Sequence, residues 1–137
     1  RMLLVVSDIE RISDHAENLT KYMLSLKERR VSISEPALED LREISDATMA
    51  AMHVALEVFA GDQFDRLDEA ERLENVVDDL EERCVRNHMD RLLDSTCKPV
   101  CGVIFSDMVT DLERCADHAV NIAVSLSGKS EKSFVKD

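Results

Sequence analysis

Four stretches of the chain carry apolar residues spaced alternately four and three apart, the spacing that lines one face of an α-helix. In the first, Val5, Ile9, Ile12, Ala16, Leu19, Met23 and Leu26 form one seam. It closes near Lys27-Glu28-Arg29-Arg30, where cations suit the negative end of a helix. Pro36 then falls where the first turn of a second helix is expected. That helix carries Leu41, Ile44, Thr48, Ala51, Ala55 and Val58 along its seam, widened by Met49, Met52, Leu56 and Phe59, which predicts two neighbours. After a break at Gly61-Asp62, a third helix is expected over 64–93, with Leu67, Leu73, Val77, Leu80 and Cys84 facing inward. Asp94-Ser95-Thr96 reads as capping chemistry for a fourth helix with Pro99 in its first turn. Its seam is Ile104, Met108, Leu112, Cys115, Ala119, Ile122 and Leu126, up to Gly128. The expected fold is therefore all-α, an antiparallel bundle of four long helices over 1–128. A polar tail over 129–137 is expected to be disordered.

Composition narrows the function more than the fold. A chain of 137 residues suits one domain able to bury its own core. With three Gly, two Pro and no Trp, it lacks the turn residues and aromatics of a many-stranded sheet. A formal charge of -12 with no offsetting basic patch argues against a nucleic-acid partner and against an anionic lipid surface. No apolar run approaches the ~18–20 residues that span a bilayer, so the chain reads as soluble. It opens inside an apolar helix at Arg1-Met2-Leu3-Leu4, as a piece of something longer would. Cys84, Cys97, Cys101 and Cys115 match neither a zinc pair nor a secreted disulfide framework, and read as reduced cytosolic thiols.

The informative feature is a repeat. Asp8-Ile9-Glu10-Arg11-Ile12-Ser13-Asp14-His15-Ala16-Glu17-Asn18-Leu19 returns 103 residues later as Asp111-Leu112-Glu113-Arg114-Cys115-Ala116-Asp117-His118-Ala119-Val120-Asn121-Ile122, identical at seven of twelve positions. A seam demands only apolar residues, so shared polar identities point to duplicated ancestry or a shared task. Glu10 with Asp14, and Glu113 with Asp117, are four apart and share a helix face, with Asn18 and Asn121 one turn further along. Carboxylates in that geometry can hold a hard or borderline cation. The third helix offers a similar ladder in Glu74, Asp78 and Glu82, with Glu71 one turn before. In a chain with 29 acids, Glu74 and Asp78 alone read as a solvated face, whereas the matched context of the repeated pairs reads as a site. His15 and His118 follow the aspartates directly, pointing about 100° away from them, and read as packing or supporting residues beside Arg11, Arg114, Asn18 and Asn121. No His has a Glu three residues before it, so the ExxH signature of di-iron bundles is absent.

These repeated segments resemble the signature helix of PhoU proteins, Glu-Arg-Ile-Gly-Asp-His/Tyr-Ala-x-Asn-Ile, with its E/DxxxD metal motif. The resemblance implies tandem three-helix bundles that regulate phosphate uptake and carry multinuclear iron or zinc clusters. Carried over, the metal residues are Glu10 with Asp14 and Glu113 with Asp117, while Glu74 and Asp78 correspond more loosely to the acidic middle helix of a unit. The stretch Asn87-His88-Met89-Asp90-Arg91-Leu92, Thr96-Cys97 and Gly102-Val103-Ile104-Phe105 is similar to the C-terminal cytoplasmic domain of bacterial sodium–phosphate cotransporters. That likeness implies a membrane-spanning transporter part as partner and a place on the cytoplasmic side of the plasma membrane. Two departures stand out. Ser13 and Ala116 replace the usual Gly, and the first helix is the last of a unit whose two preceding helices are missing. A site at Glu10 and Asp14 is then unfinished, or completed by a second copy in a homodimer.

The expected function is thus a regulatory, metal-binding helical domain of a sodium-dependent phosphate transporter. The alternative is a structural module for dimerisation or docking, without metal. No Gly-rich phosphate loop, HExxH or nucleophile–base pair is present, so no enzyme is expected.

Overall fold

A computed structural model describes residues 2–61 and 63–127. Four helices account for nearly all of them: α1 (Met2–Arg29), α2 (Glu35–Gly61), α3 (Leu67–Leu93) and α4 (Pro99–Leu126), with a short 3-10 turn at Phe64–Arg66 before α3. No strand occurs among the described residues, and none of the helices is long and apolar enough to cross a membrane. Gly128 and the polar tail over 129–137 lie outside the described residues, as does Asp62.

Cross-helix contacts fix the directions. Arg91 and Asn87 of α3 reach Asp40 of α2, and Arg83 pairs with Glu43, so α2 and α3 are antiparallel. Thr48 of α2 donates to the Leu112 carbonyl of α4, while Cys101 near the start of α4 reaches Ser32 just before α2, so those two run parallel. Helix α4 is the centre of the molecule, packed against all three others. That role explains why it buries residues on nearly every side, from Cys101, Ile104 and Phe105 to Ala119, Val120 and Ala123.

The core has two parts. One gathers Leu41, Ile44, Val77, Cys84, Phe105 and Val109, and the other gathers Val54, Val58, Leu67, Ala70, Val120 and Ala123. Ile44 is fully enclosed. Ile44→Ala is expected to cost about 2–5 kcal/mol in urea unfolding, because a close-packed site cannot collapse around the lost atoms. The expected seam of α2 is buried throughout, but Met49 and Leu56, read as a second contact stripe, are mostly exposed.

Helix α1 departs furthest from its expected seam. Ile9 and Met23 are more than half exposed and Ala16 faces solvent. The covered stripe instead runs Val5, Asp8, Ile12, His15, Leu19, Tyr22 and Leu26, with two polar side chains inside it. The loop before α4 also differs from expectation. Ser95 has φ 54, the Thr96 amide and hydroxyl both donate to the Arg91 carbonyl, and the Ser95 amide donates to Leu92. This is a Schellman closure of α3, with Ser95 at the left-handed position usually held by Gly. Residues read as a cap for α4 therefore close α3, and Lys98, which precedes α4, gives it no side-chain cap.

Candidate metal centre

The repeat divides its polar residues between two tasks according to helix face. His15 Nδ1 meets Asp111 Oδ1 at 2.6 Å, and His118 Nδ1 meets Asp8 Oδ1 at 2.9 Å. Each histidine thus pairs with the aspartate of the other copy, seven residues from its own counterpart. The exchange is reciprocal, which requires α1 and α4 to cross antiparallel about a local two-fold axis. The two imidazoles stack over that axis with centroids 5.7 Å apart. Asp111 is 5% exposed, and its carboxylate also lies against Tyr22. Burial first, and that carboxylate second, push the Tyr22 phenol up to about 12. His15, His118, Asp8 and Asp111 are the clasp between the repeats.

The second face carries the carboxylates. On α4, Glu113 and Asp117 point toward α3 and meet Glu74, Asp78 and Glu81. One oxygen from each of Asp78, Glu81 and Glu113 lies within 4.8 Å of the others, the only such trio of potential metal ligands among the described residues. All three are partly buried, and Glu113 is offset by Arg114, whose Nε is 3.7 Å away. Glu74 is pushed up to about 9, by burial first and then by a hydrogen bond to Asp117 and repulsion from Asp117, Asp78 and Glu113. Glu113 is pushed up to about 7, by burial and then by Glu81, Asp117 and Asp78. Glu81 is also raised, chiefly by burial and Asp78. Crowding of this kind favours the protonated form of Glu74, and a cation would relieve the same repulsion.

Glu81 escaped the sequence reading, which followed steps of four to Glu82. Helix geometry explains the miss. A step of four followed by one of three drifts only about 20° per heptad, whereas two steps of four drift further round the helix. Glu74, Asp78 and Glu81 keep one face, and Glu82 is turned to solvent. The signal was present in the heptad spacing. Glu71 is half-buried one turn before Glu74.

The other expected site residues fall elsewhere. Glu10 and Asp14 lie on the exposed side of α1, where no described helix takes the place that α3 has against α4. Arg11 is exposed, while Asn18 and Asn121 are half-buried. The cysteines are free thiols. Cys84, Cys101 and Cys115 are buried and Cys97 is half-buried, and burial holds Cys84 and Cys115 at about 11.

An all-carboxylate set of this kind suits hard or borderline cations over soft ones. No solved structure matches the chain. Over 134 residues it is 24% identical to the phosphate-specific transport system accessory protein PhoU homolog 1 of Thermotoga maritima, covering 95% of this chain. The chain spans 57% of the length of that relative. The family model described as PhoU domain matches residues 37–126, which contain α2, α3 and α4 almost entire and all five clustered carboxylates. The chain belongs to the PhoU domain family.

Proposed function

We propose that this chain is a regulatory domain of phosphate transport that binds a metal ion or cluster between α3 and α4. Glu113 and Asp117 from α4, with Glu74, Asp78 and Glu81 from α3, supply the ligands. Iron fits the oxygen-only donor set, with zinc or another first-row metal as the runner-up. The observation that supports this reading is the convergence of five carboxylates on one partly buried seam. Such an arrangement is unfavourable without a positive charge. Glu10 and Asp14 carry the same pair on α1 and would form a second centre if two further helices covered them, from this polypeptide or from a second copy in a homodimer.

The partner we propose is a membrane-spanning phosphate transporter, with this domain on its cytoplasmic side. The Thermotoga relative's name places it in a phosphate-specific transport system. The likeness of the segment from Asn87 to Phe105 to the cytoplasmic domain of sodium–phosphate cotransporters favours that transporter class. Regulation of this kind needs a metal-set conformation and no catalytic group.

Elemental analysis of the purified protein, beside Glu113→Gln/Asp117→Asn, tests the metal reading. Stoichiometric metal in the wild type, lost in the double variant, is the expected result. Absence of metal from both proteins after reconstitution with iron, zinc and manganese would leave only a helical docking module.

A further inference from the structure

The other end of α4 holds a cluster that the acidic seam does not use. A cavity of about 150 Å³ opens there between the loop before α2, the end of α3 and the start of α4. Its walls include His88, Arg91, Lys98, Cys97, Phe105 and Ser32. In a chain of net charge -12, this wall is cationic and contains no carboxylate.

Two buried side-chain nitrogens on this wall, and a third set of groups in the backbone beside it, have no partner in the protein. His88 is 8% exposed, and its Nδ1 is buried without a hydrogen-bond partner. Arg91 is held from two sides: Nη1 donates to Asp40 at 3.2 Å, and the guanidinium lies 5.1 Å from the centre of the Phe105 ring. Its Nη2 is buried and unpartnered. Asn87 also donates to Asp40, so Asp40 fixes Arg91 in place and offsets only part of the cavity's charge. The third set is backbone. Pro99 has no N–H, and the first turn-closing bond runs from Gly102 to the Lys98 carbonyl. Without a side-chain cap, the amides of Val100 and Cys101 are left without an intrahelical acceptor.

Gly102 keeps the arrangement open. A Cβ at this position would come 2.6 Å from His88 Cε1, 3.2 Å from its Nε2 and 3.3 Å from Cys97 Sγ. Only glycine lets the imidazole lie against the first turn of α4. Burial, and then the Arg91 charge, lower the pKa of His88. A neutral ring can place its single proton on Nδ1 as a donor.

We infer that this cavity is a binding site for a small oxyanion, phosphate or a carboxylate, held by Arg91, His88, Lys98 and the open amides at the start of α4. Buried donors without acceptors are costly, and a helix N-terminus with two adjacent cationic side chains favours an anion. The net negative charge of the protein opposes entry little, because salt screens charges more than about 8 Å from the cavity at physiological ionic strength. This site is separate from the proposed metal centre and does not depend on it.

The test is titration of ¹⁵N-labelled, metal-free protein with inorganic phosphate, with acetate and with chloride, at constant ionic strength. Saturable shifts at Val100, Cys101, Gly102 and the His88 ring nitrogens are expected with phosphate, with a Kd on the order of millimolar. Shifts with phosphate alone assign a phosphate site, and shifts with acetate as well assign a general oxyanion site. Lys98→Gln, which changes an exposed side chain and leaves the core intact, should weaken binding about three- to tenfold. His88→Gln should weaken it further. The Glu113→Gln/Asp117→Asn variant should bind phosphate as the wild type does, which separates this site from the metal centre. No saturable shift with either oxyanion up to roughly 100 mM would overturn the proposal. So would shifts that chloride reproduces, or an affinity unchanged in both Lys98→Gln and His88→Gln.

Discussion

Glu74→Gln will make the metal-free protein more stable at pH 8 and will remove most of its loss of stability at alkaline pH. The sign follows from linkage. Glu74 and Glu113 keep protons in the folded protein up to about 9 and about 7, whereas an unfolded chain releases them near 4.5. Between those limits the native state binds more protons than the unfolded state, so stability falls as pH rises. The contribution is fully present below about pH 4.5 and is gone above about pH 9. Glutamine keeps a donor for Asp117 and never ionises. Because solvent reaches part of both side chains, the gain is discounted to about 1–2 kcal/mol, or roughly 4–8 °C in Tm. Thermal unfolding in a chelator, from pH 5 to pH 9, measures it. A variant no more stable than the wild type at pH 8 would mean that the five carboxylates do not repel as their placement requires.

Metal should cancel that slope. Carboxylate ligands must be deprotonated to bind, so binding releases protons and strengthens as pH rises through about 7 to 9. With saturating metal, the folded and unfolded chains both hold these carboxylates ionised, so the wild type should keep its stability from pH 5 to pH 9, and metal should stabilise Glu74→Gln less. Opposite responses to one substitution, with and without metal, separate a ligand from a residue that is merely strained.

The second large effect belongs to the clasp. His15→Ala leaves the Asp111 carboxylate in a nearly closed site with its imidazole partner gone. A loss of about 2–4 kcal/mol is expected in urea unfolding, a large share of the 5–15 kcal/mol typical of a domain. His118→Ala strips Asp8 in the same way, from a pair that is somewhat more open on the Asp8 side. The stacked rings link the two pairs, so the double variant should cost less than the sum of the singles, by about 0.5–1.5 kcal/mol. Replacing both members of one pair, as in His15→Leu/Asp111→Leu, should restore much of the loss, because an apolar pair leaves no buried charge. Equal losses for the single and the paired replacement would show that packing, and not the His–Asp contact, holds α1 on α4.

These expectations also mark where the sequence suffices. Its periodicities placed all four helices, because the 3.6-residue repeat is a local property and each seam is long. The seams of α2 and α3 were legible for the same reason, since their buried faces are apolar. The repeat was legible too, down to Glu113 and Asp117, because shared polar identities stand out wherever a bundle leaves choice free. Heptad spacing also held Glu81, although steps of four passed it by.

What the tertiary structure alone decided is which polar residues are interior. Asp8 and His15 occupy the covered stripe of α1 although neither is apolar, because each meets its complement 96 or 110 residues away. Pattern reading assigns polar side chains outward, and only the crossing of α1 and α4 supplies the partner that makes burial favourable. The two ends of α4 follow the same logic. Glu113 and Asp117 join a carboxylate cluster only when α3 lies beside them. His88, Arg91 and Gly102 become a cavity only when the end of α3 folds back on the start of α4. Helices are written in short-range spacing. The sites are made by contacts between segments far apart in the chain, and their energy depends on desolvation, which no local pattern records.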